Sequence, residues 1–244
     1  MKLRRFLILC AAGLAMTFGI TSIAAATPHP PDVNRANFVH PIAEPNPFFP
    51  LVPGTTFIYQ GEKEGAKTSN ITEVTCKTRD ILGVTTTEVH DQAFDENGKL
   101  VEDTLDWYAQ DSDGNVWYFG EATEEKDPVT GEVISTEGSW EAGVDDADAG
   151  FIMLANPQVG DRYYQEFARG VAEDQARVQS LDASACIQTG CSNHLLLTKE
   201  TTRFDPGVVE NKYYKEGVGF ILGVIVKGGN EHTELVSTTY NGCP

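Results

Sequence analysis

Two short groups of oxygen-bearing side chains have a spacing that could ligate a hard cation. The groups are Asp111, Asp113 and Asn115 in one predicted hairpin turn and Asp145, Asp146 and Asp148 in one loop. Calcium takes about six to eight oxygen ligands, so each group predicts part of a Ca²⁺ site that other oxygens would complete. Ca²⁺ is the one cofactor that the sequence suggests.

The first group has a second interpretation that needs no cation. Asn, Asp and Gly favour the positive φ angles of hairpin turns, so the segment from Asp111 to Asn115 is also expected as a plain turn on a solvated acidic edge. Gly114 comes too early in this segment for an EF-hand loop, and Ala122 stands where such a loop has its terminal Glu. The sequence favours the plain turn.

Acidic residues are concentrated between Glu102 and Asp148. This segment holds 15 Asp and Glu and one base, Lys126, in a chain of 244 residues with 36 acidic and 18 basic side chains. Such a field attracts cations and repels phosphate groups. We therefore expect a cation or a cationic partner at this edge and no nucleic acid.

Aromatic residues give the second set of candidate ligand contacts. Trp107, Trp117 and Trp140 could line a pocket for an unknown small ligand, and the alternative is that they pack in the core or at its rim. No nucleophile elbow, His-Glu-x-x-His, phosphate loop or dinucleotide fingerprint is present, so no catalytic residue is predicted. A hydrolase with carboxylates brought together by the fold, such as Glu121, Asp111 and Asp145, is the alternative.

The amino terminus predicts export. Lys2, Arg4 and Arg5 precede an apolar stretch, and small residues end at Ala26, which is the pattern of a Sec signal peptide over residues 1–26. Removing it leaves 36 acids against 18 − 3 = 15 bases, or a charge of −21. No later stretch has transmembrane length. We expect a periplasmic or extracellular protein with no transmembrane segment in the mature chain.

Four cysteines follow the predicted signal, and an even number in an oxidising compartment favours two disulfides. Three pairings are possible. Cys186 and Cys191 resemble two strand ends that flank a four-residue turn, so we predict the pairs Cys186–Cys191 and Cys76–Cys243. Metal ligation is the alternative, but the zinc-finger spacing of two Cys-x-x-Cys pairs is absent.

The rest of the chain predicts an all-β fold. Eight of the 12 prolines lie between Pro28 and Pro53, which indicates a Pro-rich extended arm over residues 27–53. Beyond it, short runs that alternate apolar and polar residues are separated by turn residues. The predicted strands are 55–60, 70–78, 84–91, 104–110, 116–121, 163–167, 195–203, 212–215, 220–226 and 233–239. We expect a single β domain over residues 54–244, an antiparallel meander that forms a sandwich or a barrel.

Several motifs in order resemble a family of uncharacterised secreted bacterial β-rich proteins. The motifs are 46–59 (NPFFPLVPGTTFIY), 106–121 (DWYAQ, GNVWYFGE), 138–143 (GSWEAG) and 212–219 (KYYKEGVG). The first and last motifs are also similar to the end strands of periplasmic curved-sheet lipoproteins. That resemblance implies a half-barrel or open barrel with a concave apolar face, and the family implies no activity.

Together these features predict an exported, non-catalytic β-rich binding protein. Its ligand would be apolar or amphipathic on a concave face, or a cation or cationic partner at the acidic edge. The carboxylate hydrolase is the alternative.

Overall fold

The computed structural model describes residues 30, 32–34, 37–38 and 40–243. The predicted signal peptide, residues 1–26, lies outside this part of the chain. Within it, regular structure consists of β-strands, and no helix has the length and apolar character needed to cross a membrane. The all-β prediction is therefore confirmed.

The strands are β1 Thr55–Lys63, β2 Ala66–Ile81, β3 Val84–Phe94, β4 Leu100–Gln110, β5 Val116–Lys126, β6 Val133–Ser135, β7 Trp140–Glu141, β8 Asp148–Met153, β9 Arg162–Tyr164, β10 Glu166–Phe167, β11 Asp174–Ile187, β12 Gly190–Thr202, β13 Val209–Lys215, β14 Gly219–Lys227 and β15 Glu231–Tyr240.

The strands form one antiparallel sheet in the order β10-β8-β5-β4-β3-β2-β1-β15-β14-β13-β12-β11-β9, with β6 and β7 also paired to β5. Two meanders, β1 to β5 and β11 to β15, are joined side by side by β1 and β15. Short turns with Asn, Asp and Gly connect most neighbours, because antiparallel strands can follow one another through tight hairpins. The sheet curves into a nearly closed barrel.

The two ends of the sheet meet at β9 and β10, which are consecutive in the chain. β9 pairs with β11 at one end, and β10 pairs with β8 at the other. Between them, the backbone N–H of Gln165 donates to the carbonyl of Asp174 over 2.8 Å. A Cβ at Gly150 would lie 2.5 Å from the carbonyl oxygens of Tyr164 and Gln165, so only glycine permits this crossing. The face that curves inward thereby becomes an interior.

The observed strands include the predicted ones, with three differences. β11, together with the short strands β6, β7 and β8, was not among the predicted strands. The predicted strand over residues 163–167 is two short strands interrupted at Gln165. The turn between β11 and β12 has two residues rather than four, because Ile187 pairs directly with Gly190.

Both predicted disulfides are formed. Cys186 and Cys191 are directly opposed across the β11–β12 hairpin and are bonded to each other. Cys76 in β2 is bonded to Cys243, which follows β15. The second bond fastens the carboxyl-terminal segment beside β1, where a Cβ at Gly54 would lie 2.5 Å from the backbone of Gly242.

The carboxyl-terminal part of the proline-rich arm closes one end of the barrel. Leu51 is buried, and Phe49 packs edge-on against Tyr108 with ring centroids 5.2 Å apart. Asn46 is 2% exposed and organises the segment through its side chain. Its amide nitrogen donates to the carbonyls of Gly114 and Leu154, and its oxygen accepts the N–H groups of the two phenylalanines that follow.

We expect Asn46→Ala to lower the free energy of unfolding by about 3 kcal/mol, because four hydrogen bonds of a buried amide are lost. Chemical denaturation measures the change. Asn156→Ala, at an exposed position, is the matched control and should change stability by less than about 0.5 kcal/mol. Equal effects of the two substitutions would show that Asn46 does not hold the arm.

Candidate functional site

The barrel encloses a cavity of about 450 Å³. This volume lies within the range of small-molecule pockets, roughly 300–1,000 Å³. One part of its wall is apolar, and the arm that closes the barrel contributes to it. The apolar lining includes Phe49, Pro50, Leu51, Phe57, Val74, Val89, Val218, Phe220 and Ile225. The remaining wall is polar and strongly acidic.

Eight carboxyl groups line the cavity, and each comes from a different strand. They are Asp91, Asp106, Glu121, Glu166, Asp174, Glu200, Glu210 and Glu231, on β3, β4, β5, β10, β11, β12, β13 and β15. One basic residue, Lys212, accompanies them in the lining. Side chains alternate between the two faces of a strand, so these residues are placed inward by the period of two of their own strands.

Register brings two pairs of these carboxyls into direct opposition. Asp106 on β4 faces Glu121 on β5, and Glu200 on β12 faces Glu210 on β13. Directly opposed residues have Cβ atoms about 5 Å apart, and like charges at that distance are destabilising. Tyr118 offsets part of this cost, because its hydroxyl donates to Asp106 over 2.5 Å.

Lys212 lies between the carboxyls of the second pair. Its Nζ is 2.8 Å from Glu200 Oε2 and 3.6 Å from Glu210 Oε2. Burial alone would lower the pKa of Lys212, but these two neighbours raise it well above its ordinary value. The Tyr214 hydroxyl also donates to Glu200, over 3.2 Å. The lysine side chain keeps 29% of its surface accessible although protein surrounds it, because it faces the cavity.

Glu210 titrates near neutrality. Burial raises its pKa from an ordinary 4.5 to about 7, and Glu200 adds to the rise while Lys212 opposes it. The charge of the cavity wall therefore changes in the physiological range of pH. Glu210 is bound to a cation and still has a raised pKa, which shows how far burial and like charge outweigh the single lysine.

A third carboxyl pair spans the seam of the barrel. Glu166 on β10 hydrogen-bonds to Asp174 at the start of β11. Burial raises the pKa of Glu166 well above its ordinary value, and the charges of Asp174 and Glu121 add to this. Burial also raises the pKa of Asp174. Trp140 holds the pair from the side by donating its Nε1–H to Glu166 Oε2 over 2.8 Å.

Tyr163 points to the same interior without a hydrogen-bond partner. It is directly opposed to Ala176, which is directly opposed to Glu200, so all three lie on the inward face. Tyr163 is 6% exposed, and its Oη has no partner among the described residues. Burial raises its pKa, and the charge of Glu200 adds to the rise. An unsatisfied buried hydroxyl is costly, and Tyr163 belongs to the packed core rather than to the residues that line the cavity.

The predicted cation ligands lie elsewhere. Asp111 accepts the backbone N–H groups of Asp113 and Asn115 and the Asn115 amide, so its carboxylate is used to build the turn. Asp145 and Asp146 have positive φ angles in an exposed turn. Asp148 begins β8. Within the described ranges, no group of three His, Cys, Asp or Glu side chains is arranged to hold a metal ion, so the calcium hypothesis gains no support.

The three tryptophans occupy different environments. Trp107 packs under the guanidinium of Arg79, 4.1 Å from its ring centroid. Trp117 contacts Phe38 of the arm and donates its Nε1–H to Asp111 over 2.8 Å. Trp140 contacts the cavity-lining residue Tyr118 edge-on as well as Glu166. Only Trp140 of the three is beside the cavity, and the phenylalanines of its apolar wall include Phe49, Phe57 and Phe220.

The sequence contains a signal for this site, but a weak one. Acids that build turns are next to Gly and Asn, as at Asp111, whereas the cavity acids stand inside alternating strands. Thr104, Asp106 and Tyr108 share one face of β4, and Glu210, Lys212 and Tyr214 share one face of β13. Polar residues at every second position of a strand would also fit a solvated face. Closure of the sheet is what makes these positions interior.

No family model and no curated protein matches the chain. Two solved structures are similar to it over most of its length. One is an exported-protein candidate with a YmcC-like fold from Bacteroides fragilis, at 13% identity and a TM-score of 0.46, covering 79% of this chain and 98% of that one. The other is a lipoprotein candidate from Parabacteroides distasonis, at 13% identity and a TM-score of 0.47, covering 80% and 100% of the two chains.

The raised pKa of Glu210 makes stability depend on pH. The folded state holds this proton more tightly than the unfolded state, so the contribution is fully present below about pH 4.5 and is lost as pH rises through about 7. A shift from 4.5 to about 7 corresponds to about 3 kcal/mol. We expect the melting temperature to fall between pH 5 and pH 8, and Glu210→Gln to reduce that fall and be more stable than wild type at pH 8.

Scanning calorimetry across this range tests the expectation. Glu216→Gln removes an exposed carboxyl in the neighbouring turn and is the matched control. Parallel pH profiles for wild type and Glu210→Gln would contradict the assignment.

Proposed function

We propose that this protein is an exported, non-catalytic binding protein that holds a small amphipathic cation inside its barrel. One observation carries the proposal: the inward face opposes carboxyls directly in two cross-strand pairs, and within the described residues the ion pairs of the eight lining carboxyls are those of Lys212 and of Lys63, which binds Glu231. An interior of this kind is destabilising without a ligand and is relieved when a cation enters it.

The arrangement of the wall supports a ligand with two unlike ends. An ammonium or guanidinium group would lie among the carboxyls, where charge-assisted hydrogen bonds are strongest in a water-poor site. The apolar part of the ligand would lie against the wall formed by Phe57, Phe220 and the arm. The ligand expected on the concave face, apolar or amphipathic, is thereby narrowed to a cationic amphiphile.

The carboxylate hydrolase is less well supported by the geometry. Of the three acids considered, Glu121 lines the cavity, whereas Asp111 builds a turn and Asp145 lies in an exposed loop. The carboxyls of Glu166 and Asp174 hydrogen-bond to each other, which is closer than the separation of about 5 Å or more used by glycosidases. That pair has no room between its members for a sugar or a water molecule.

Matched pairs of amines and acids of the same shape test the proposal. The pairs are tryptamine with indole-3-acetate, phenethylamine with phenylacetate, and hexylamine with hexanoate. We expect isothermal titration calorimetry to show binding of at least one amine about tenfold or more tighter than its acid, because the cavity wall carries excess negative charge. Equal binding within every pair, or no binding by any amine, would refute it.

Asp106→Asn is the variant that separates binding from folding. It removes one charge of an opposed pair and leaves an oxygen to accept the Tyr118 hydroxyl, so stability should be unchanged or higher while amine affinity falls about tenfold. Asp113→Asn makes the same charge change in the exposed turn and should leave affinity unchanged.

The affinity for tryptamine should rise with pH. Glu210, with a pKa of about 7, is mostly protonated at pH 6 and mostly ionised at pH 8, while the amine stays charged throughout. Because the ionised form attracts the ligand, we expect up to about tenfold tighter binding at pH 8. Glu210→Gln should bind equally at the two pH values, and a persisting pH dependence in that variant would exclude Glu210 as its source.

A further inference from the structure

Basic residues are concentrated on the outer face of β9, β11 and β12, where the acids of the same strands and adjoining loops are Asp161, Glu173, Asp182 and Asp205. Five basic residues lie on these strands and the adjoining loops: Arg162, Arg169, Arg177, Lys199 and Arg203. They are one third of the 15 bases that follow the predicted signal and include four of the eight arginines of the chain. The formal charge of the whole chain is −18, so such a concentration needs a specific explanation.

Three of these residues form a row across the strands. Arg162 is directly opposed to Arg177, and Arg177 is directly opposed to Lys199. All three side chains are exposed, and none is in an ion pair with any residue in the described ranges. Neighbouring strands lie about 4.8 Å apart, so the row presents three cations at that interval. Like charges directly opposed on a sheet are destabilising unless something anionic covers them.

A groove adjoins this row on the same face. Its floor includes Tyr164 and Gln175, which are directly opposed to each other and lie two residues along β9 and β11 from the cationic row. Phe167 and Phe204 are half-buried in its walls. The groove therefore combines aromatic edges with amide and hydroxyl groups, next to a row of positive charges.

The opposite side of the groove is also basic. Arg203 is held in place by Glu173, with Nη1 3.1 Å from Oε2. Glu173 is almost fully buried there, whereas the arginine side chain is 72% exposed and keeps N–H groups free for a further partner. Arg169 is exposed on the same side, with no ion pair in the described part of the chain. Cations thus flank the groove along both of its sides.

We infer that this outer groove binds a chain of acidic sugars, that is, an oligosaccharide that repeats a carboxylate. Guanidinium groups bind carboxylates in a planar, bidentate geometry, and a row of cations at strand spacing matches a ligand whose anions recur along its length. The half-buried aromatic rings and the amide offer contacts for the apolar faces and hydroxyls of sugar rings. The groove is concave, so it fits an extended chain better than it fits the flat surface of a bilayer.

The cationic row lies outside the interior cavity, although the groove beside it shares Thr201, Thr202 and Phe204 with the cavity lining. The inference does not depend on the function proposed for the cavity. Arg162 and Arg177 point away from the barrel, on the face opposite to Tyr163 and Ala176. The overall charge of −18 repels polyanions at long range, so binding here would come from close contacts and weaken with added salt.

Hexamers of galacturonic acid and of mannuronic acid, each with its fully methyl-esterified counterpart, are the probes. We expect calorimetry on the full chain to show at least tenfold tighter binding of an acid hexamer than of its ester. The triple variant R162Q/R177Q/K199Q should lose at least tenfold in affinity. The triple variant K67Q/K215Q/K227Q makes the same charge change at exposed positions elsewhere and should bind as wild type does.

Removing the opposed cations should leave the melting temperature unchanged or raise it. If the triple variant fails to fold, Arg177→Gln alone, at the centre of the row, should still weaken binding at least threefold. Equal binding of acids and esters, or equal losses in the two triple variants, would overturn the inference. So would binding only to phosphatidylglycerol vesicles, or self-association that the row variants abolish in sedimentation velocity, since these would assign the groove to a lipid surface or to a second copy of the chain.

Discussion

Closure of the sheet at one short backbone crossing is the constraint on which the rest of this structure depends. The chain passes from β9 to β10 through Gln165, whose N–H bonds to Asp174, and glycine at position 150 lets the strands approach. An open sheet would leave the inward face in water, where a row of carboxylates is ordinary. Closing the sheet removes much of that water, so the pKa of Glu210 and of Glu166 rises and the opposed acids begin to repel.

The stability lost in the interior must be offset elsewhere in the molecule. The arm closes one end with Leu51 and the Asn46 hydrogen bonds, and the Cys76–Cys243 disulfide joins β2 to the chain terminus. On the outer face, Phe38 of the arm packs against Trp117 and Phe119. A scaffold stabilised at its ends and on its outer surface can tolerate an interior in which opposed carboxyls cost stability.

The fold was largely predictable from the sequence because strands and turns leave local signals. The alternation of apolar and polar residues located most strands. The cysteine pairs followed from the even number of cysteines and from the short spacing between Cys186 and Cys191. β11 was not predicted because the alternation of apolar and polar residues breaks after Val178, where the pairing with β12 is irregular from Ser180 to Ala185. The choice between a half-barrel, an open barrel and a sandwich depends on how far the sheet curves. The sheet closes at a single residue, Gln165, and so short a crossing leaves no sequence pattern from which closure could be predicted.

The candidate site was much less predictable, for a related physical reason. Acids that are close in sequence, such as Asp111 and Asp113, are close because a turn uses them, and their hydrogen bonds are satisfied locally. The acids of the cavity come one from each of eight strands, so no window of sequence contains two that obviously belong together, and pairs such as Glu200 and Glu210 meet only through register. Counting charges along the sequence therefore located the acidic segment between Glu102 and Asp148 but not the set of carboxyls that lines the cavity.

The period of two in a strand also explains how residues adjacent in sequence can lie on surfaces of opposite charge. Lys199 and Glu200 are adjacent in sequence, yet the period of two sends the first outward to the cationic row and the second inward to the cavity. Arg162 and Tyr163 divide in the same way on β9. A shift of register by one residue would exchange the two faces, placing arginines in the interior and carboxylates outside. The hairpin disulfide Cys186–Cys191, which locks β11 to β12, therefore holds the separation of charge as well as the pairing of the strands.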